Sequence, residues 1–370
     1  MNELGFYALP GAPDSPRQLI DEVAQAEALG IGACFISERL NIKEAATLSG
    51  AVGAVSKRIG IATAATNHNI RHPMVTAAYA MTMHHLTDGR FSLGIGRGIE
   101  RVTRAFGLDP VTTAQMEDFV SIMRRVWAGE VVLGHDGPAG SYPALAMRGL
   151  EPVHIPMTLT AFGPNSLALG GRCFDAVVLH TFFTDETTAG AVRAVKQAAE
   201  RAGRDPDAVR VWSCFATIGD HLPEDVRLKK TVGRMATYLQ AYGDLMVRTN
   251  DWDPVALERF RADEFVAGFA GALDHTATPA ELAHVATLIP DEWLAPAATG
   301  TPEACVAAIR GQFDLGCDGV ILHGAGPSEL APIVEHYRTT RPAARFDDLP
   351  ANPGGMRSPG RAPGAEHGSG

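Results

Sequence analysis

The amino-acid sequence predicts an α/β chain folded as a (β/α)8 TIM barrel with insertions. Three observations predict it. Short apolar runs alternate along the chain with longer helical patterns. Most of these runs are continuous and lack the polar alternation of a half-exposed strand, as expected when both faces are covered. There are eight of them, and no early strand–turn–helix unit carries a GxGxxG turn followed by a ribose-binding acid. That disfavours the alternative, an open doubly wound sheet.

The expected strands follow in order. LGFY (Leu4–Tyr7) is followed by a helix over Pro16–Leu29, and ACFIS (Ala33–Ser37) by one over Ile42–Ser56. IGIATA (Ile59–Ala64) leads to a helix over Pro73–Leu86, and FSLGI (Phe91–Ile95) to one over Thr112–Ala128. MTLTA (Met157–Ala161) precedes Asn165–Arg172, and AVVL (Ala176–Leu179) precedes Asp185–Arg201. VRVWSCFAT (Val209–Thr217) is the seventh run, and GVIL (Gly319–Leu322) with the helix Ser328–Arg341 completes the set. One domain over 1–348 accounts for all of them.

Two interruptions are read as insertions. Residues 129–149 contain GHDGPAGSYP, rich in glycine and proline. Residues 219–300 exceed one crossover and read as helices over Pro223–Tyr242, Pro254–Leu273 and Pro279–Ile289, placed to act as a lid. The tail 349–370 is proline, glycine and charge with little to bury, and is expected to be disordered.

Composition narrows the function. A formal net charge of −10 argues against nucleic acid or an anionic membrane as partner, so any phosphate must be held by local donors. Five scattered cysteines without a CxxC indicate reduced thiols. With no basic, apolar leader and no apolar run near the roughly 20 residues of a membrane span, a cytoplasmic protein is expected.

In a barrel the residues just past the strand C-termini face the active site. Here those positions read Ser37-Glu38-Arg39, Thr66-Asn67-His68-Asn69-Ile70-Arg71-His72-Pro73, Gly96-Arg97-Gly98, Phe162-Gly163-Pro164-Asn165-Ser166, His180-Thr181 and His323-Gly324-Ala325-Gly326. His68 and His72 are spaced i, i+4, but Pro73 biases His72 away from helix and no carboxylate cluster is nearby, so no metal is expected. Gly163 to Ser166 at a helix start offer free backbone N–H groups to an anion. The glycines of RFSLGIGRGIE (90–100) resemble a dinucleotide turn only superficially.

The run Ile70-Arg71-His72-Pro73, followed by L-x-x-G-R-x-x-x-G-x-G from Leu86 to Gly96, resembles the bacterial luciferase-like superfamily. TAFGPNSLALGGRCFDAVVL resembles its fifth strand, phosphate turn and sixth strand. The resemblance implies a homodimeric barrel with a tricyclic ring lying across the strand ends. By position, Asn67 and His68 lie beside the ring, Arg97 and Gly98 flank it, and Gly163, Pro164, Asn165 and Ser166 hold its phosphate. A non-proline cis peptide is expected at Ala64-Ala65.

The resemblance implies an oxidoreductase acting on a small organic substrate with coenzyme F420, the alternative being an FMN-dependent monooxygenase. A catalytically silent flavin-binding protein is a third reading. Where the family commonly carries an acid followed by histidine, this chain has Glu38-Arg39. Arginine stays protonated, so Arg39 is expected to hold an anionic substrate or to stabilise an anionic reduced ring, with Glu38 or His68 as the proton partner. Ile99 stands where some F420-dependent sugar-phosphate dehydrogenases carry glutamate, which disfavours that chemistry.

Overall fold

The computed structural model describes residues 1–356. Eight parallel strands close on themselves: β1 Leu4–Tyr7, β2 Ala33–Ile36, β3 Gly60–Thr63, β4 Phe91–Ile95, β5 Met157–Thr160, β6 Ala176–Val178, β7 Arg210–Gly219 and β8 Gly319–His323. Sequential strands pair from β1 to β6, β8 joins β1 to β7, and the β6–β7 register (Ala176↔Arg210) shuts the barrel. Several strands stop one residue short of their apolar runs, because Ser37, Ala64, Ala161 and Leu179 already belong to the loops above. The short strand Ala298–Gly300 pairs with the far end of β7.

The runs are apolar because each strand is buried on two sides. Outward side chains such as Leu4, Phe6, Ile61, Phe91 and Leu93 pack under the helices. Inside, Ala33, Ala62, Ala64 and Ala176 leave room for Phe35 and Trp212, whose rings meet edge-on at 5.0 Å. Those helices include Gln18–Leu29, Ala45–Val55, Pro73–Leu86, Thr113–Trp127, Pro164–Cys173, Asp185–Arg201, Pro302–Asp314 and Pro327–Thr340. A capping box, Thr112 with Gln115, starts the fourth of them. Among the described residues no helix is long and apolar enough to cross a membrane.

The insertions depart from their expected forms. The glycine-rich stretch, read only as an insertion, is an antiparallel hairpin, Val132–Gly137 with Gly140–Leu145. Asp118 ties it to the neighbouring helix by accepting from Ala139 N–H at 2.9 Å and pairing with His135 Nε2 at 3.0 Å. After β7, the first expected helix breaks into Glu224–Leu228, a π-turn at Lys229–Gly233 and Arg234–Asn250, which runs past Tyr242 with a kink there (φ −157°, ψ 37°). The second divides at Asp263, whose carboxylate accepts from Val266 N–H and so starts a new helix. This segment has its own apolar core around Met235, Leu239, Leu257, Phe260 and Trp293.

Part of the expected disordered tail is ordered. Residues 351–356 close the bottom of the barrel; the remaining tail lies outside the described residues. Asn352 Nδ2 donates to the carbonyls of Gly89 (2.6 Å) and Phe91 (2.8 Å), and Trp212 Nε1 donates to Pro353 O at 2.8 Å. Arg210, fully buried, stacks on Trp212 at 4.2 Å and donates to Asn352 O and to Asn2 O. Backbone carbonyls, which composition does not display, are what this segment satisfies. Asn352→Ala strands two such carbonyls and is expected to cost about 2 kcal/mol, read as a lowered Tm in thermal melts. A Tm equal to wild type would show that the plug does not support the barrel.

Candidate active site

The upper end of β3 shapes the site. Ala62 pairs with Ser92, and the next pairing of the two chains is Thr66 with Ile95. Three residues on one side thus stand opposite two on the other, a bulge that lifts β3 off the regular ladder. Thr63 Oγ1 donates to Gly94 O and accepts from Gly94 N–H, both at 2.7 Å. The peptide bond between Ala64 and Ala65 is cis. Gly94 has to be glycine, since a Cβ there would lie 1.6 Å from Thr63 O.

Above the bulge, Asn67 Nδ2 donates to Gly96 O at 2.8 Å. Gly98 has φ +72°, and a Cβ on it would press on Asn67 Nδ2 at 3.0 Å. Arg97 leans the other way: Nη1 donates to Val111 O (2.6 Å), Nη2 to Thr113 Oγ1 (2.5 Å) and Nε to Ser166 Oγ (3.3 Å). Arg97 is thereby joined to the Gly163–Ser166 turn, 69 residues away. Gly163 caps the helix Pro164–Cys173, with Pro164 in its first turn. Ahead of Gly163 the space is open, with Leu245 Cδ1 the nearest atom at 4.0 Å from a built Cβ. Pro164 and Asn165 are exposed there. Arg90, at the opposite end of β4, holds Ser56 Oγ and Ile59 O.

The expected proton partners sit differently from one another. Glu38, 3% exposed at its side chain, pairs with Arg71 and accepts from Thr66 Oγ1 (2.5 Å) and Ala45 N–H (3.0 Å). Both its oxygens are engaged in holding the β3 loop, so the proton-carrying role expected of it is not open while Arg71 is in place. Nothing in the local sequence spacing pairs Glu38 with a residue 33 positions on. His68 is buried against Phe119, centroids 5.3 Å apart, and its Nδ1 has no partner among the described residues. It lines a cavity of about 420 Å³ with Arg71, His72, Gln115 and Tyr142. Burial takes its pKa down to about 4, leaving a neutral imidazole.

Arg39 lies on the other side of the mouth and donates to Gly11 O at 2.9 Å. Burial and the nearby Arg234 guanidinium both lower its pKa. Below it Lys43 is 2% exposed and donates to Ala8 O (3.1 Å), Leu9 O (2.9 Å) and Ser37 Oγ (3.2 Å). Burial, then Arg39, push it to about 7.

Sequence reading assembled neither this cationic group nor the aromatic one beside it. From four strand ends, Phe162 and His180 meet Tyr238 and Tyr242 of the inserted helix, and Tyr7 meets His323, whose Nε2 lies 3.5 Å from the Tyr238 hydroxyl. His180 Nδ1–H donates to Thr181 O at 2.9 Å, so Nε2 accepts from the Tyr242 hydroxyl at 3.0 Å. Burial lowers His180 to about 4. The one available signal was that both histidines end strands while both tyrosines stand one helical turn apart.

The sequence profile described as luciferase-like monooxygenase matches residues 4–319. A 5,10-methylenetetrahydromethanopterin reductase of Methanolobus tindarius is 24% identical over 327 residues, covering 85% of this chain and 93% of the reductase. A phthiodiolone/phenolphthiodiolone dimycocerosates ketoreductase of Mycobacterium sp. (strain JLS) is 29% identical over 250 residues, 63% of this chain and 60% of the ketoreductase. The coenzyme F420-dependent tetrahydromethanopterin reductase of Methanopyrus kandleri superposes with a TM-score of 0.75 at 19% identity, covering 90% of this chain and 96% of that one. The monooxygenase RslO1 of Streptomyces bottropensis superposes at 0.62 and 19% identity, covering 91% and 98%. At such identities the superpositions speak for the barrel, and the profile speaks for descent. The chain belongs to the luciferase-like monooxygenase family and is an enzyme of the oxidoreductase class.

Proposed function

We propose that this enzyme transfers a hydride between C5 of the deazaflavin F420 and a small organic substrate. The observation that carries the reading is the bridge from Arg97 to Ser166, which joins the end of β4 to an open helix N-terminus beside the β3 bulge. Such a turn, with a cation attached, is suited to the cofactor's phosphate. The residues fit the group: Gly163 faces open space, Gly98 lacks a side chain beside Asn67, and buried His68 Nδ1 awaits a partner. F420 is preferred over FMN because the M. kandleri structure is of an F420-dependent reductase, and the M. tindarius relative aligns over nearly its whole length.

When bound, the deazaflavin supplies or accepts the hydride, and the protein contributes orientation and electrostatics. In this reading Gly163, Asn165, Ser166 and Arg97 hold the phosphate, with Pro164 setting the first helical turn. The Ala64–Ala65 peptide, Asn67 and Gly98 support the ring. Glu38 and Arg71 position that loop. His68 and His180, both neutral, orient polar groups by hydrogen bonds, and Arg39 balances negative charge at the mouth. The inserted helix Arg234–Asn250 covers the mouth and excludes water.

Titrating the purified enzyme with oxidised F420 and with FMN, followed by fluorescence, tests the cofactor. F420 is expected to bind; FMN binding without F420 binding overturns the reading. Arg97→Ala is expected to weaken cofactor binding roughly tenfold to a hundredfold, and Arg97→Lys to recover part of it. Affinity unchanged in Arg97→Ala would remove that residue from the site.

The buried histidines also set a pH dependence. The unfolded chain takes a proton on each imidazole near the ordinary value of 6.5, the native chain only near 4. Stability is therefore full above pH 6.5 and declines as pH falls from there toward 4. Tm measured between pH 7.5 and 4.5 should fall less steeply in His180→Gln than in wild type. Parallel curves would mean that His180 titrates normally.

A further inference from the structure

The charged groups around the barrel mouth can be paired off. Arg234 Nη2 lies 2.7 Å from Asp274 Oδ2, and Lys230 Nζ lies 3.0 Å from Glu329 Oε2. Lys43 is bonded to two carbonyls and a hydroxyl, with the Glu22 carboxylate acting on it as an opposing charge. His275 stands beside Asp274 at 3.8 Å. Arg39 remains: among the described residues it has no carboxylate partner, and one carbonyl, Gly11 O, accepts from one of its five N–H groups.

Arg234 and Lys43 act on Arg39 as like charges, and the carboxylate that acts on it from the other side, Asp274, is already held by Arg234. A half-buried guanidinium in that setting is costly unless something negative completes it. The surroundings are aromatic. Tyr238 lies between Arg234 (5.6 Å from its ring) and the stacked Tyr242 (5.5 Å), while Tyr7 and His323 meet edge-on at 5.5 Å. His323 Nδ1 is buried there without a hydrogen-bond partner.

We propose that Arg39 is the docking point for a carboxylate on the substrate, so that the enzyme acts on organic monocarboxylates with an apolar body. The guanidinium fork matches a carboxylate bidentately. One guanidinium without a carboxylate partner among the described residues suits a monoanion; a phosphate dianion would leave one charge uncompensated. Tyr7, Tyr238 and Tyr242 face the apolar body, and His323 Nδ1 takes a hydrogen bond from, or gives one to, its second polar group. The inference rests on the hydride-transfer reading above and names its substrate class.

Calorimetric titration with a panel of aryl and alkyl monocarboxylates, such as 3-phenylpropionate, each against its neutral amide, tests this with and without F420. At least one acid is expected to bind about tenfold tighter than its amide or better. Arg39→Gln should abolish the difference while leaving the amide and F420 affinities unchanged, and Arg39→Lys should restore part of it. Thermal melts establish that both variants fold. Equal affinities throughout, no acid bound at millimolar concentration, or an acid preference that persists in Arg39→Gln would overturn the proposal. So would loss of F420 in Arg39→Gln, which would put Arg39 on the cofactor. Should wild type bind no F420 but discriminate acid from amide through Arg39, the cofactor reading fails and the anion site stands.

Discussion

The crossing of Thr63 over Gly94 governs the upper half of this molecule. A threonine hydroxyl that both donates to and accepts from one glycine locks the two strands where they would otherwise run on in register. The missing Cβ of Gly94 lets the Thr63 carbonyl occupy that space. From this contact follow the extra residue on β3, the turn of Asn67 toward Gly96, and the entry of Thr66 and Arg71 into the pocket of Glu38. A side chain at position 94 would not merely crowd the strand. It would undo the ledge on which the site rests.

The barrel places arginines at its two ends under opposite rules. Arg210 at the bottom is fully buried yet surrounded by carbonyls of Asn2, Asn352 and Gly355 and by the Trp212 face. Its two Nη groups are held by these carbonyls of the protein itself, which makes it a structural rivet. Arg39 at the top has one carbonyl and cationic neighbours. The same side chain is thus held by three carbonyls where the fold is sealed and by one at the opposite end. That asymmetry matches the general division of barrels into a stabilising face and a functional one.

The barrel strands were legible because burial on both faces leaves a mark in every strand: LGFY, FSLGI and GVIL contain no charge to interrupt them. The glycines of 94, 96 and 98 and the turn at 163–166 were legible for a similar reason, since local backbone demands restrict the residue allowed. The hairpin at 132–145 was not, because Gly134, Gly137 and Gly140 interrupt the strand pattern until partner strands are opposed. Residues 351–356 were misread for a related cause. Their role is to offer carbonyls and one asparagine amide to distant donors and acceptors, which leaves no apolar signature.

Local sequence thus determined the order of the barrel strands, the strand faces, the helix start at Gly163 and the family to which the chain belongs. Tertiary structure alone decided the partners: Glu38 with Arg71 across 33 residues, Arg97 with Ser166 across 69, and His180 with Tyr242 across 62. It also decided which charges pair, and among the described residues gave Arg39 no carboxylate partner. The physical reason is range. Periodicity and turn chemistry act between neighbours and are written in adjacent letters, whereas hydrogen bonds and ion pairs at the barrel mouth join loops from separate strands. Which loops meet is settled only when the sheet closes at β6 and β7.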